Sequence, residues 1–154
     1  MDVVSHSEVP VCLMHMQGTP RTMQKNPTYN DLIADIKAFF NDKIEQCEAK
    51  GIRKQRIILD PGFGIGKSLE DNYQLLDDLH QFTDFNLPVL AGISRKSMLG
   101  NLLDISVEER TNSSVVAATL ALTKGAKILR VHDVKETKQA ITIFNAMTYG
   151  VNNG

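Results

Sequence analysis

Short apolar runs alternate with longer amphipathic stretches along the chain. Four runs have the length and β-branched content of buried strands: Val9 to Met16, Arg56 to Asp60, Pro88 to Ile93 and Lys127 to His132. Apolar residues at helical spacing follow them, as in the series Leu32, Ile36, Phe40, Ile44 and Cys47. Four strands that alternate with four helices predict an α/β fold with a parallel sheet.

Capping patterns predict where the helices begin. They lie at Thr28 to Asp31, at Ser68 to Asp71, and at Asp133 with Glu136. The helix before the fourth strand has two possible starts, which are a capping box at Ser106 to Glu109 and the polar stretch Thr111 to Ser114. The sequence leaves this choice open.

Polar side chains gather where the predicted strands end. They are His15, Asp60, Ser94, Arg95, Lys96, Arg130 and His132. Ligand sites of parallel α/β folds lie at the carboxyl ends of the strands, so these side chains are expected at one face. The spacing fits the last half of an eight-stranded barrel, and a free-standing four-stranded doubly wound sheet fits it equally well.

The loop after Asp60 is the most distinctive segment of the chain. Three glycines at alternate positions from Gly62 let the backbone turn through positive φ and let a flat ligand approach closely. The end of the loop resembles a phosphate-binding P-loop, but that motif needs a glycine where this chain has Pro61. A P-loop is therefore rejected, and a strand-to-helix turn without a ligand remains the alternative.

Cations follow the third and fourth strands. Arg95 offers a planar fork and Lys96 a compact charge, which together suit an anionic or carbonyl-rich ligand. Cations are unfavourable at a helix N-terminus, which argues against a merely solvated helix start. Arg130 and His132 alternate along one strand and therefore point to the same side, where a bound anion would be the natural partner of the arginine.

These groups together indicate a transfer reaction. The Asp60 carboxylate could accept two parallel N–H bonds from an amidine-like ring edge, and the cations could hold a departing anion. That combination suits transfer of a group away from a pyrophosphate.

Composition narrows the remaining classes. The 154 residues are 42% hydrophobic and 23% charged, which fits one globular domain, and a net charge of -1 gives no basic field for nucleic acid. Cys12 and Cys47 lack metal-ligand spacing and are expected to be small buried hydrophobic residues in a reducing compartment. Without an apolar stretch of bilayer length or a signal peptide, the chain is expected to be cytoplasmic, with no membrane or nucleic-acid partner.

Four segments resemble the successive signatures of bacterial dihydropteroate synthase, in the order and spacing of that family. They are Met14 to Pro20, Asp60 to Gly64, Ser94 to Ser97 and Arg130 to Asp133. The resemblance implies a TIM barrel of folate biosynthesis that joins 4-aminobenzoate to 6-hydroxymethyl-7,8-dihydropterin diphosphate with loss of pyrophosphate. It also implies help from Mg²⁺, whose protein ligand would belong to the family's first half, so no metal ligand is expected among these residues. Sulfonamides compete for the aminobenzoate site in that family.

The resemblance also implies roles for single residues. The catalytic residues would be Asp60, Lys96, Arg130 and His132, and the substrate-binding residues would add Met14, Gly64, Ile65, Gly92, Arg95 and Ser97. Asp60 would hold the edge of the pterin ring, and Lys96 would hold the carbonyl side of the ring. Arg130 and His132 would hold the pyrophosphate. Arg95 and Ser97 would lie near the aminobenzoate. Ile65 is a departure, since the family often has Phe there.

Length is the larger departure from the family. The sequence begins where the family's fifth strand begins, so residues 1–154 are expected to form the second half of a (β/α)8 barrel, inactive or nearly so alone. A homodimer is expected, as is usual in the family. Two alternatives stay open, a non-catalytic half-barrel that binds ligand or self-associates, and a pterin-binding methyltransferase relative. The segments around Lys96 and Arg130 argue against the methyltransferase.

Overall fold

Parallel strands and the helices between them make up the computed structural model, which describes residues 2–17 and 29–151. The strands are β1 Val11–Met14, β2 Ile57–Asp60, β3 Leu90–Ala91 and β4 Ile128–Leu129. The α-helices are α1 Asp2–Ser5, α2 Leu32–Ala49, α3 Leu69–Asp77, α4 Ser97–Leu103, α5 Thr111–Thr123 and α6 Val134–Tyr149. Three 3₁₀ segments lie at Lys54–Arg56, Leu79–Phe85 and Glu108–Arg110.

The strands lie side by side in chain order. β1 pairs in parallel with β2, which sets Met14 opposite Asp60, and β3 pairs in parallel with β4. A parallel bridge between Leu59 and Val89 joins the two pairs. The predicted α/β class with a parallel sheet is confirmed, and the order shows no reversal of the kind that marks a doubly wound sheet.

The two faces of the sheet differ in burial because alternate side chains of a strand point to opposite sides. Leu13 and Leu59 are buried against the helices, whereas Met14 is 37% exposed on the opposite face. The expectation that Cys12 is buried is wrong, because it is exposed on that same face, whereas Cys47 is buried as expected. The helical side is closed by aromatic packing, in which the Phe40 and Phe82 rings meet edge to face at 5.8 Å. One face thus forms the core and the other stays open.

The capping predictions had mixed outcomes at the first two long helices. Asp31 itself caps α2, because its Oδ1 accepts from the N–H groups of Ile33 and Ala34 at 3.1 and 3.0 Å. The predicted capping box placed Asp31 inside the helix, and this is wrong because α2 begins one residue later, at Leu32. Thr28, the first residue of that box, lies outside the described residues. The capping box at Ser68 is confirmed, since the Asp71 N–H donates to Ser68 Oγ at 3.0 Å and Asp71 accepts in return.

The later helix starts also differ from the expectations. Of the two possible starts before the fourth strand, α5 begins at the second, Thr111. At the first, the Ser106 N–H donates to Glu109, but the residues that follow form a 3₁₀ turn without a side-chain cap. The predicted side-chain cap by Asp133 is wrong, since that carboxylate makes no cap bond and pairs instead with Arg95. The Asp133 carboxylate therefore binds a residue 38 positions away in the chain and does not cap its own helix.

Within residues 2–17 and 29–151, no helix is both long enough and apolar enough to cross a membrane.

Candidate active site

Asp60 is the buried acid at the end of β2. Its side chain is 3% exposed, its Oδ1 accepts the Gly62 N–H at 2.9 Å, and its backbone oxygen accepts the His15 N–H at 2.9 Å. Its Oδ2 lies 3.6 Å from Nη2 of Arg130, whose side chain is 59% exposed. The carboxylate is therefore held by the backbone on one side and faces a cation on the other.

The turn after Asp60, residues 61–68, is called here the glycine loop. Gly62 has φ +76°, and a Cβ there would lie 2.0 Å from the backbone oxygen of His15. The loop is tied to α3 by Asn72, whose Oδ1 accepts the Gly64 N–H at 2.6 Å and whose Nδ2 donates to the Ser68 carbonyl at 2.6 Å. Asn72 is 3% exposed. The loop is thus fixed in shape by buried contacts.

Lys96 lies across the glycine loop from the end of β3. Its ammonium donates to the Phe63 carbonyl, and a Cβ on Gly64 would lie 2.7 Å from its Cδ. Burial lowers the pKa of Lys96, Asp60 partly offsets this, and Arg130 lowers the pKa further. Gly64, predicted as a substrate-binding residue, therefore makes room for the lysine stem.

Arg130 and His132, at the end of β4, form what we call the cationic rim. A Cβ on Gly92 would lie 2.8 Å from Nη2 of Arg130, so the guanidinium rests directly on the backbone of that glycine. His132 is exposed, and its Nδ1 lies 3.0 Å from Oγ of Ser94, which is 7% exposed. The predicted shared side of Arg130 and His132 is confirmed.

Arg95 and Asp133 join the ends of β3 and β4. The guanidinium donates through Nε to Oδ2 at 3.1 Å and through Nη2 to Oδ1 at 2.5 Å. This contact raises the pKa of Arg95 and lowers that of Asp133. Arg95 also has φ +57°, a conformation rare for a residue with a side chain, and its N–H and carbonyl are held by Ser114 and Arg110.

Lys67 is the site residue that the sequence analysis passed over. Its Nζ donates to the carbonyls of Gly62 at 3.0 Å and Ile65 at 3.3 Å, and lies 3.1 Å from Nδ1 of His15. Burial lowers the pKa of Lys67 to about 8, although Asp60 offsets part of this. Burial and Lys67 lower the pKa of His15 to about 4, so the neutral ring accepts from the ammonium.

Positive charge exceeds negative charge around Asp60. Asp60 interacts with the cations of Lys67 and Lys96 and faces Arg130, so three positive groups surround one carboxylate. A cavity of about 260 Å³ opens beside them, lined by Gly92, Ser94, Lys96, Arg130, Val131 and His132. The excess of positive charge favours an anionic ligand in this cavity.

The structure brings together most of the predicted site residues. Lys96, Arg130, His132 and Gly92 line one cavity, with Asp60 at contact distance from Arg130. Two other predicted residues do not line this cavity. Met14 is paired in register with Asp60 on the open face, and Ser97 is exposed as the first residue of α4. Residues Gly18 to Pro20 of the first signature lie outside the described part of the chain.

A divalent metal does not fit the donors present in this cluster. Within the described ranges, no group of three His, Cys, Asp or Glu side chains is placed to hold a metal ion. Asp60 is a single carboxylate whose neighbours Lys67, Lys96 and Arg130 are cations, whereas Mg²⁺ needs several oxygen donors. The residues described do not form a magnesium site by themselves.

The chain is similar in sequence to a known family. Residues 1–132 match the family model described as pterin binding enzyme. The chain is 49% identical over 146 residues to dihydropteroate synthase from Escherichia coli K12, an alignment that covers 95% of this chain and 52% of that protein. The chain therefore spans about half the length of the curated relatives it matches.

Solved structures of dihydropteroate synthases are also similar to this chain. The dihydropteroate synthase of Yersinia pestis in a sulfonamide drug complex superimposes with a TM-score of 0.93 at 51% identity, over 95% of this chain and 53% of that one. The dihydropteroate synthase of Xanthomonas albilineans, in complex with 7,8-dihydropteroate, has a TM-score of 0.87 at 43% identity, over 96% and 55%. The fold of this chain is thus shared with about half of each of these proteins.

Proposed function

Since the chain belongs to the family of pterin-binding enzymes, we propose that its site takes part in the dihydropteroate synthase reaction. That reaction joins 4-aminobenzoate to 6-hydroxymethyl-7,8-dihydropterin diphosphate and releases pyrophosphate. The observation that carries the proposal is the buried Asp60 surrounded by Lys67, Lys96 and Arg130 at the strand ends. A carboxylate among cations suits a substrate with a polar ring edge and an anionic leaving group.

Recognition of the pterin ring is assigned to β2 and β3. Oδ1 of Asp60 already accepts one backbone N–H, so Oδ2 is available for an N–H of the ring's amidine edge. Lys96, steadied by the Phe63 carbonyl, would approach the ring carbonyl. Met14 and Ile65 would contact the ring faces. Because these groups are positioned before the ligand arrives, binding costs little rearrangement.

Departure of the pyrophosphate is assigned to the cationic rim. Arg130 and His132 would bind its oxygens, which stabilises the charge that develops as the C–O bond breaks. The electron pair of that bond leaves with the pyrophosphate, and the nitrogen of 4-aminobenzoate forms the new C–N bond and loses a proton. The chemistry requires no covalent link to the protein. Arg95 and Ser97 would contact the aminobenzoate from the start of α4.

The architecture proposed for this function is the second half of an eight-stranded barrel. Four strands follow one another in chain order, and the face with Met14 and Cys12 is left open by the helices. A groove of about 600 Å³ lies beside β4 and α6, lined by Val131, Val134 and Ile141 among others. Further strand–helix units of such a barrel would lie against this face and this groove.

Self-association is part of the proposal. The apolar side chains Val116 and Leu120 on α5 and Ile143 and Met147 on α6 are between 48% and 71% exposed. We expect two copies to bury these residues against each other. Sedimentation of the Ile143→Glu variant should show loss of the dimer, and a monomeric wild-type chain would contradict the expectation.

A non-catalytic binding module is the second candidate, because the chain spans about half of its relatives' length. Such a module would retain pterin diphosphate affinity without turnover. Turnover is measured as pteroate formation with the remaining half of the Escherichia coli enzyme supplied separately. Binding without any pteroate would select this candidate over the enzyme.

Titration calorimetry with the pterin diphosphate tests the site itself. Asp60→Asn keeps the size of the side chain but removes the charge, so we expect the affinity to fall about a hundredfold. Asp104→Asn is the matched control, since Asp104 is exposed at the end of α4 and has a left-handed conformation that Asn tolerates. Equal affinity of wild type and Asp60→Asn would overturn the proposed function.

A further inference from the structure

Ser94 lies buried beneath the cationic rim, where the proposed function gives it no role. It lies in the turn that follows β3 and is 7% exposed, whereas His132 above it is exposed. Its Oγ lies 3.2 Å from the backbone nitrogen of His132 and 3.0 Å from Nδ1 of the same residue. One hydroxyl therefore contacts both the backbone and the ring of a single histidine.

The hydrogen-bonding capacity of the hydroxyl determines which ring nitrogen carries the proton. A serine hydroxyl has one proton to donate and two lone pairs. The His132 N–H can only donate, so Oγ accepts from it. Oγ has a second lone pair and could also accept from an Nδ1–H, but the proton of this buried hydroxyl would then have no acceptor among its contacts with the described residues. The hydroxyl proton is satisfied when it is donated to Nδ1, which is then the acceptor nitrogen of a neutral ring. The proton of the neutral imidazole is accordingly on Nε2.

A second contact joins the same two chain segments without involving Ser94. Arg95 and Asp133, each one residue farther along the chain, already join the same two strand ends through two hydrogen bonds. The ion pair fixes the main chain but leaves the imidazole free to rotate about its own side-chain bonds. The contact from Ser94 to Nδ1 restricts that rotation.

We propose that Ser94 is a positioning residue that holds His132 in the Nε2–H form and directs this N–H into the cavity beside Arg130. In a protonated ring, Nδ1–H would donate to Ser94 Oγ, so Nε2 remains a donor in both charge states. The natural acceptor for this donor is an anionic phosphoryl oxygen. This last assignment rests on the proposed function, whereas the tautomer rests on the geometry alone.

The tautomer is measured by NMR on the full chain with ¹⁵N-labelled histidine. At about pH 8 the two ring nitrogens of His132 should give clearly different shifts, with Nε2 protonated. His132→Gln assigns the signals. We expect Ser94→Ala to move the ring toward a mixture of both tautomers. Thr142→Ala, which removes an exposed hydroxyl on α6, is the control.

Two results would overturn the positioning role. One is an Nδ1–H ring in the wild type, and the other is an unchanged tautomer in a folded Ser94→Ala variant. If Ser94→Ala does not fold, Ser94→Thr keeps the hydroxyl and should keep the Nε2–H ring. A mixed tautomer in Ser94→Thr would also count against the proposal.

Inorganic pyrophosphate is the probe for the acceptor. Its addition should shift the Nε2 signal of the wild type, and Ser94→Ala should bind it about three- to tenfold more weakly, as expected for loss of one oriented hydrogen bond. Ser94→Thr should restore the affinity. If saturation with pyrophosphate leaves the Nε2 signal unchanged, a phosphoryl oxygen is not the acceptor of this N–H. That result would count against the proposed function but would leave the tautomer assignment intact.

Discussion

The glycine loop and the cationic rim meet at Asp60 but are built in opposite ways. The loop is held by buried contacts, including the Lys67 ammonium on two carbonyls and the Asn72 side chain on the backbone. The rim is largely open to solvent, with the Arg130 side chain 59% exposed. A rigid loop suits selection of a flat ring by hydrogen bonds, and an open rim suits the exchange of a highly charged leaving group with water.

This difference implies that changes in the loop should act on stability and that changes in the rim should act on binding. Buried polar groups are costly when their partners are lost, while exposed charges contribute little to folding.

The largest expected effect is that of Gly62→Ala in the glycine loop. Both Gly62 and Gly51 have positive φ, at +76° and +77°, but a Cβ at position 62 would meet the His15 oxygen, while nothing lies within 4 Å at position 51. Gly51→Ala should lower the free energy of unfolding by about 1 kcal/mol, the cost of the backbone conformation. Gly62→Ala should lower it by at least about 3 kcal/mol, because overpacking is added.

Chemical denaturation of both variants measures the difference. Equal losses at positions 51 and 62 would mean that the glycine loop yields to the added methyl group, and the loop would not be the rigid half of the comparison.

Arg130→Met should have the next largest effect, and it should appear in binding. The affinity for inorganic pyrophosphate should fall at least about tenfold, because a charged donor to the anion is lost. The free energy of unfolding should stay within about 0.5 kcal/mol of the wild type, as for most exposed substitutions. Arg53→Met is the control, since Arg53 is an exposed arginine paired with Glu8. A large loss of stability in Arg130→Met would contradict this prediction, because Arg130 would then contribute to folding as the buried contacts of the glycine loop do.

His15→Asn should have the smallest effect, seen as a change in pH dependence. The pKa of His15 is lowered to about 4 in the folded chain, so between about pH 6.5 and 4 the unfolded chain binds the proton and the folded chain does not. Stability therefore falls as the pH falls through this window, with a slope of at most about 1.4 kcal/mol per pH unit. Asn can accept from Lys67 but does not titrate.

The measurement compares the unfolding free energies of wild type and His15→Asn at several pH values. The variant should lose less stability on acidification, and His80→Asn, which replaces a surface histidine in the same way, serves as the control. A steeper acid loss in His15→Asn would mean that His15 does not remain neutral beside Lys67.

Much of the site could be predicted from the sequence because the end of a strand is marked by residues that are adjacent in the chain. Asp60, Lys96, Arg130 and His132 each follow an apolar run, and parallel strands bring their carboxyl ends to one edge. Lys67 was passed over because its position matched a motif that fails at Pro61, and its burial depends on the path of the loop. Asn72 gave no signal at all, since a polar residue inside a helix is ordinarily exposed.

The periodicity of this sequence by itself determined the α/β class, the parallel strands and the residues that end them, because burial alternates along each element with a fixed period. The tertiary structure decided which partners these residues have. Asp133 pairs with Arg95 instead of capping α6, and the Lys67 ammonium folds back onto the loop beside His15. Such choices depend on distances between segments far apart in the chain, and periodicity carries no information about those distances.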